Sequence, residues 1–492
     1  MMPNKTKEPN KTKETGRSKG PTLTKEEEEM VEALRRETRR RLGPGSTFEQ
    51  RRDAGFESMK RILWKDGETD LQGSITDVEE IDVGGKKYQR MEQQSSATYF
   101  GRFGSHYVVE PLYREVGVHN GPTIKPIELL VGIIEHMTPD MARVVGELSA
   151  DSSSRALGRT LRTLGHVPPS RAFLADRTTR MGALFADDAA SLENIARSAE
   201  AVPPNVASVS CGLDRMSVRM SELSEPESEC GPPPARAEPY ERTPPPPKEH
   251  HYRKAWVGST SVYDKEGNEL HTWRVAAEAD ADPGKFAERV AADVAWILKV
   301  HPKVPVHCVQ DAAPELRALP EALERALPAG KKASVVELVD FEHLMGYLDA
   351  VVDACEPVDD SREMKRWYRG QLLEDDGAID RIERALRTNA RCLIGHNTAA
   401  RNAMAAALRY IKRRKNKMRY ASHYAANLPI GSGATESTCW QMQQRVKLPG
   451  QSWEPCGLSG VLAIRALVLS GRWEAAWRPF AAEHRMEISV SH

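Results

Sequence analysis

Val206-Ala207-Ser208-Val209-Ser210-Cys211-Gly212-Leu213-Asp214 reads as a buried strand that ends on a carboxylate. Further on, Trp256 to Tyr263 and Leu270 to Val275 read as two strands joined by the hairpin turn Asp264-Lys265-Glu266-Gly267-Asn268. A helix follows, with Phe286, Val290, Val294 and Ile297 on one face. Val304 to Val309 then predicts a short strand leading to Asp311, and Ala333 to Val339 predicts another. Strand, hairpin, helix, strand, helix, strand describes a mixed α/β sheet. The proline-rich stretch from Ser221 to His251 has a linker's composition, but inside this order it reads as a long loop of the same domain.

Outward from this core the period changes. After Val339 almost a hundred residues look helical, opening on the stripe Phe341, Leu344, Met345, Leu348 and Val352. An alanine-rich helix from Thr398 to Met418 ends in cations. Gly431-Ser432-Gly433 forms a tight break, a helix begins near Thr435, and a last apolar helix covers Leu458 to Leu469. On the other side, residues 124–200 look helical. Leu157, Leu161 and Leu164 recur at helical spacing before Gly165-His166-Val167-Pro168-Pro169 breaks the run. Ser170 can cap a next helix that bears Arg171, Arg177 and Arg180. That outline fits a helix-turn-helix whose second helix enters the major groove, and it fits an ordinary helical hairpin equally well.

The 492 residues exceed one ordinary domain and predict about three. Forty per cent are apolar, enough for large cores, and 70 cations balance 70 acids, which excludes a uniformly basic protein. Seven scattered cysteines without a C-x-x-C pair exclude a disulfide scaffold and a cysteine zinc finger, and they fit a reducing compartment. No apolar run approaches the roughly 20 residues of a membrane helix, and the polar, lysine-rich start is not a secretory signal, so a soluble intracellular protein is expected. Residues 1–25 carry seven Lys/Arg against two Glu and read as a disordered basic arm. Residues 26–60 look helical and arginine-rich, whereas 61–118 carry no decisive pattern.

Three acids stand out by position: Asp214 and Asp311 at strand ends, and Glu436 just after the glycine break. Carboxylates from strand ends and a packed helix can converge. Unless divalent cations neutralise them, such groups repel and raise one another's pKa. Hard oxygen ligands of this kind suit Mg²⁺ or Mn²⁺, two of which can serve phosphodiester chemistry. On spacing alone, three solvated acids among 70 explain the pattern better than a metal triad does. The cations Arg409, Lys412, Arg413, Arg414, Lys415, Lys417 and Arg419 fall within eleven residues and match the spacing of DNA phosphates. Arg445 and Lys447, past Glu436, are placed to hold the same strand. Asp340 and His343 share a helix face and read as structural.

The run Leu428-Pro429-Ile430-Gly431-Ser432-Gly433-Ala434-Thr435-Glu436-Ser437 resembles a bacterial insertion-sequence transposase signature. It continues through Gln444-Arg445-Val446-Lys447, Trp453, Ala463-Ile464-Arg465-Ala466-Leu467 and Ser470-Gly471-Arg472-Trp473. The pattern is similar to the ISKra-type transposases, a branch of the DDE superfamily with an RNase H-like catalytic core. Gly212-Leu213-Asp214-Arg215-Met216-Ser217-Val218 and Val309-Gln310-Asp311-Ala312-Ala313 match in order, and Val339-Asp340-Phe341-Glu342-His343 resembles the step into a helical insertion. Cys439-Trp440 departs from the pattern. The resemblance covers roughly residues 200–478.

It implies Asp214, Asp311 and Glu436 as catalytic residues holding two Mg²⁺ or Mn²⁺ ions. It also implies an α/β RNase H-like core, a mixed five-stranded sheet with helices, interrupted by an all-α insertion; the helical spacing before residue 200 adds a preceding helical DNA-binding region. The boundaries expected are 1–25 (arm), 26–118 (untyped), 119–200 (helix-turn-helix-like), 201–340 (first part of the core, with loop 221–251), 341–425 (insertion), 426–478 (second part of the core) and 479–492 (tail). The function implied is cleavage and strand transfer at terminal inverted repeats by a homo-oligomer on double-stranded DNA, in the bacterial cytoplasm and away from membranes. A nuclease without strand transfer and a decayed DNA-binding protein are the alternatives.

Overall fold

The computed structural model describes residues 23–223, 248–328, 330, 335–355, 358–392 and 398–490. Most of the basic arm and most of the proline-rich loop lie outside these. The chain forms two compact units, one ending at Asp70 and one running from Leu71. In the first, helix α1 (Lys25–Leu42) begins with a capping box between Thr24 and Glu27. Helix α2 (Phe48–Gly73) packs back on it where Gly55 faces Thr38.

The second unit opens with β1 (Glu80–Val83), β2 (Lys86–Gly101), β3 (Gly104–Glu115) and β4 (Thr123–Ile124). Helices α3 (Pro126–Val131), α4 (Pro139–Ser149), α5 (Ser154–Thr163), α6 (Arg171–Asp187) and α7 (Ala189–Ala199) follow. Ser153 and Ser170 cap α5 and α6 through their hydroxyls, the role expected of Ser170.

Next come β5 (Ser208–Leu223), β6 (Lys248–Tyr263), β7 (Glu269–Ala277), α8 (Pro283–Val300), β8 (Val306–Gln310), α9 (Ala318–Ala326) and β9 (Val335–Val339). They form a mixed sheet of order β7-β6-β5-β8-β9, with β5, β6 and β7 antiparallel and β5, β8 and β9 parallel. The expected strand β5 is longer than its apolar run. It continues nine residues beyond Asp214, because Met216, Val218 and Met220 still find a core to enter.

Helices α10 (Phe341–Cys355), α11 (Val358–Glu374), α12 (Ala378–Cys392), α13 (Thr398–Lys412) and α14 (Ala421–Ala425) then pack around Leu344, Leu348, Leu372, Ile382 and Met404. The chain closes with α15 (Gly433–Val446), α16 (Pro455–Leu469), α17 (Trp473–Glu483) and β10 (Ile488–Val490).

Strand periodicity divides the layers. Val209, Cys211 and Leu213 join Phe286, Val290 and Val294 of α8 on one face. Met216, Val218 and Met220 meet Cys439 and Met442 of α15 and Leu458 and Leu462 of α16 on the other.

Two features lie beyond the sequence reading. The expected tail is structured: β10 pairs antiparallel with β1 at the edge of a second sheet, β10-β1-β2-β3-β4. In addition, the helices of 119–200 share one core with the C-terminal helices, where Phe185 stacks against Trp473 and Phe480. Gly182 of α6 and Gly460 of α16 touch backbone to backbone. A Cβ on Gly460 would stand 2.5 Å from the Gly182 carbonyl carbon.

Candidate active site

The parallel register pairs Cys211 of β5 with Cys308 of β8. Three residues further along each chain are Asp214, within β5, and Asp311, the residue that follows the end of β8. By strand alternation Asp214 is on the face opposite α8. Gln310 strengthens this edge: its Oε1 accepts from the Leu213 amide at 3.4 Å and its Nε2 donates to the Leu316 carbonyl at 2.8 Å.

Helix α15 is laid across the same face by small residues. A Cβ on Gly212 would meet the Val309 carbonyl oxygen at 2.5 Å and the Thr435 hydroxyl at 2.6 Å, so glycine is what lets the helix approach. The Thr435 hydroxyl shares a hydrogen bond of 2.7 Å with Ser259. One helical turn on, Cys439 donates to Asp214 Oδ2 at 3.2 Å. Two strand residues and four helical residues each span roughly 6–7 Å, so the two contacts stay in step. Glu436 follows Thr435 in the first turn of α15, exposed, accepting from the Ser432 hydroxyl at 3.1 Å.

Asp340 fixes the turn before this helix. Buried at 2% exposure, it accepts from the Ser432 amide at 2.9 Å and from the His343 amide at 3.0 Å. It ties the start of α10 to the glycine break, the structural role its spacing suggested. His343 extends toward Asp311, Nε2 to Oδ2 3.5 Å. The Tyr410 hydroxyl, from α13, donates to Asp311 Oδ1 at 3.3 Å. Burial, then the Asp311 charge, pushes the Tyr410 phenol well above its usual pKa, so it stays a donor. Burial and the neighbouring Asp214 do the same for the Cys439 thiol. Tyr410 was not singled out from sequence, because it belongs to no recognisable local pattern, and Cys439 stood out only as a departure from the transposase-like run.

The basic cluster splits in two. A cleft of about 240 Å³ beside Asp311 is lined by Tyr347, Tyr410, Arg409, Arg413 and Arg414. Arg409, Lys412 and Arg413 are exposed. Arg414 is half-buried, donating to the Ala312 carbonyl at 2.8 Å and lying over the Tyr410 ring. Lys415 pairs with Asp380 at 3.0 Å and Glu383 at 3.2 Å, and Lys417 pairs with Glu337. The cluster has no acid in its sequence, but the fold brings three to it.

The remaining cations expected at DNA divide in the same way. Arg445 is 7% exposed, donates to the Ser149 carbonyl at 3.0 Å and lies over Trp453; burial lowers its pKa to about 10. Contrary to the expectation of an exposed DNA contact, its guanidinium is buried and engaged inside the protein. Lys447 is exposed. On α6, Arg177 is held by Glu135 at 2.7 Å and Arg180 by Asp176 at 3.3 Å, while Arg171 is exposed.

Asp214, Asp311 and Glu436 offer hard oxygen donors of the kind that suits Mg²⁺ or Mn²⁺. Among the described residues no group of three or more His, Cys, Asp or Glu stands close enough to hold a metal ion by itself. Glu436 is turned toward Ser432 in its own first turn. No described helix is long and apolar enough to cross a membrane. Comparison with known protein families finds no match, and comparison with curated proteins finds no similar sequence.

Proposed function

We propose that the chain is a DDE-type transposase with an RNase H-like core, binding the terminal inverted repeats of an insertion sequence and catalysing DNA strand cleavage and strand transfer. The observation that carries this reading is that parallel neighbours β5 and β8 bring Asp214, within β5, and Asp311, just past the end of β8, to one edge of the sheet, with the helix of Glu436 bonded to Asp214 through Cys439. The strand order β7-β6-β5-β8-β9 and the transposase-like run from Leu428 to Ser437 support it.

Asp214, Asp311 and Glu436 would hold two divalent cations. When bound, such ions stabilise the attacking and leaving oxygens of a phosphodiester. The chain's own residues prepare the place. Tyr410 and His343 orient Asp311, Cys439 orients Asp214, and Asp340 holds the turn that presents Glu436. Arg409 and Arg413 on the rim of the cleft supply positive charge for the DNA backbone beside Asp311. The chain would act as a homo-oligomer on double-stranded DNA in the bacterial cytoplasm.

The test is a cleavage and joining assay on a labelled repeat end with Mg²⁺ or Mn²⁺, beside a gel shift and a melting curve. Asp214→Asn, Asp311→Asn and Glu436→Gln should each abolish cleavage and joining while leaving repeat binding and folding intact. Near-normal cutting by folded Glu436→Gln would overturn the assignment. Cutting without joining by the unmodified chain would make it a nuclease instead.

A further inference from the structure

The first unit carries a groove of about 390 Å³ between α1 and α2 that takes no part in the chemistry above. Four arginines line it, Arg35 and Arg39 from α1 and Arg51 and Arg52 from α2, and no carboxylate does. Two aromatic rings stand among them, Phe48 at 72% and Phe56 at 48% exposure. The Lys60 ammonium lies over the Phe56 ring at 5.5 Å and is paired with Glu57. Arg35 keeps Glu32 at 2.8 Å on the exposed surface, and Arg51 donates to the Ser46 carbonyl. Arg39 and Arg52 have no carboxylate partner among the described residues.

Helical spacing builds this stripe. Phe48, Arg51, Arg52, Gly55 and Phe56 recur at three and four on α2, and Arg35 and Arg39 are four apart on α1. None of the acids of the same helices lines the groove, neither Glu26 to Glu29, Glu32 and Glu37 on α1 nor Glu49, Asp53 and Glu57 on α2, although Glu32 and Glu57 each hold a cation at its edge. The pattern is therefore segregated, with guanidinium groups around exposed aromatic faces. A lone apolar ring at the surface needs no explanation. Two rings among four arginines ask for a ligand that is both anionic and flat.

We infer that the groove between α1 and α2 is a binding site for single-stranded nucleic acid, with bases stacked on Phe48 and Phe56 and phosphates held by Arg39, Arg51 and Arg52. Duplex DNA keeps its base faces inside the stack and would use only the arginines. A single strand offers both, and base stacking on aromatic side chains beside a cationic track is the general means of binding it. An acidic protein segment would meet the arginines but would gain little from two exposed rings.

The test uses the full chain in EDTA, so that no cleavage interferes, in a Lys412→Ala/Arg413→Ala background that weakens the other basic surface. The probes are fluorescein-labelled oligothymidylate and oligouridylate of roughly 15 nucleotides, a duplex of the same length and polyglutamate. Phe48→Ala/Phe56→Ala should weaken single-strand binding at least about tenfold with the salt slope unchanged. Arg39→Ala/Arg52→Ala should lower the log–log salt slope by roughly 0.7 for each phosphate no longer neutralised. Phe48→Trp should retain binding, and melting curves should match throughout, since both rings are at the surface. Photo-crosslinks from a thiothymidine-bearing strand should map to residues 34–59. Tighter binding of one oligomer over the other tells DNA from RNA as the source.

Crosslinks confined to other regions, unchanged affinity after loss of both rings, or tighter binding of duplex or polyglutamate would each overturn the site. Binding here does not depend on Asp214, Asp311 or Glu436. A failed cleavage assay would leave it standing, and its failure would leave the triad standing.

Discussion

The Cys439 thiol donates to Asp214 across the space between α15 and β5, Sγ to Oδ2 3.2 Å. This contact joins the helix that carries Glu436 to the strand that carries the first aspartate, from a thiol only 5% exposed. Losing a buried donor to a carboxylate costs about 1–3 kcal/mol. Cys439→Val should lower stability to urea by that order, and Cys439→Ser, which keeps a donor, should lose clearly less. Equal losses would mean that the thiol matters only for packing.

Asp293, buried on α8, accepts from Arg197 and Arg472, each at 2.9 Å, and Arg472 also holds Glu200 at 2.9 Å. Asp293→Ala leaves two guanidinium groups buried without this carboxylate. The expected loss is about 3–5 kcal/mol, read by chemical denaturation. A loss below about 1 kcal/mol, the scale of an exposed pair, would show that water reaches the network.

Within the basic cluster, exposed and engaged cations should behave differently. Lys412→Ala/Arg413→Ala should weaken binding to any DNA and lower the log–log salt slope by roughly 0.9 for each phosphate no longer neutralised. Lys415→Ala should leave the slope unchanged, because Asp380 and Glu383 already hold that ammonium. Salt titrations of each variant decide it; a slope that falls with Lys415→Ala would show that DNA displaces the two acids.

Glu110, 2% exposed in the N-terminal sheet, accepts from the Ile127 amide at 3.1 Å and from Tyr99 at 3.4 Å. Burial is the main cause that pushes its pKa up to about 7, and nearby Glu128 adds to it against the pull of Lys125. The folded state therefore binds this proton more tightly than the unfolded chain does. Stability from this group is present below the ordinary value of about 4.5 and declines as pH rises toward about 7. Denaturation at pH 5 and pH 8 should show that decline in the unmodified chain and a smaller one in Glu110→Gln. An equal decline in both would place the titration elsewhere.

Much of the local structure followed from sequence spacing. The hairpin turn at Asp264–Asn268, the Phe286–Ile297 stripe, the serine cap at Ser170 and the strand before Asp311 all appear as their patterns indicated. Each is set by neighbours within a few residues, through side-chain periodicity, a cap or a turn. The apolar run before Asp214 was equally legible, but not the length of its strand. The residues beyond are held by α15 and α16, more than two hundred positions away.

Only the tertiary structure decided which charges are spent inside the protein. Arg445, Arg177 and Lys415 look like free cations in the chain. They are engaged because Ser149, Glu135, Asp380 and Glu383 arrive from distant segments. The same holds for Tyr410 on Asp311, Cys439 on Asp214, and β10 beside β1. Periodicity reports which face of an element is buried. It carries no record of the partner, which depends on strand register and on how closely the helices approach at Gly212 and Gly460.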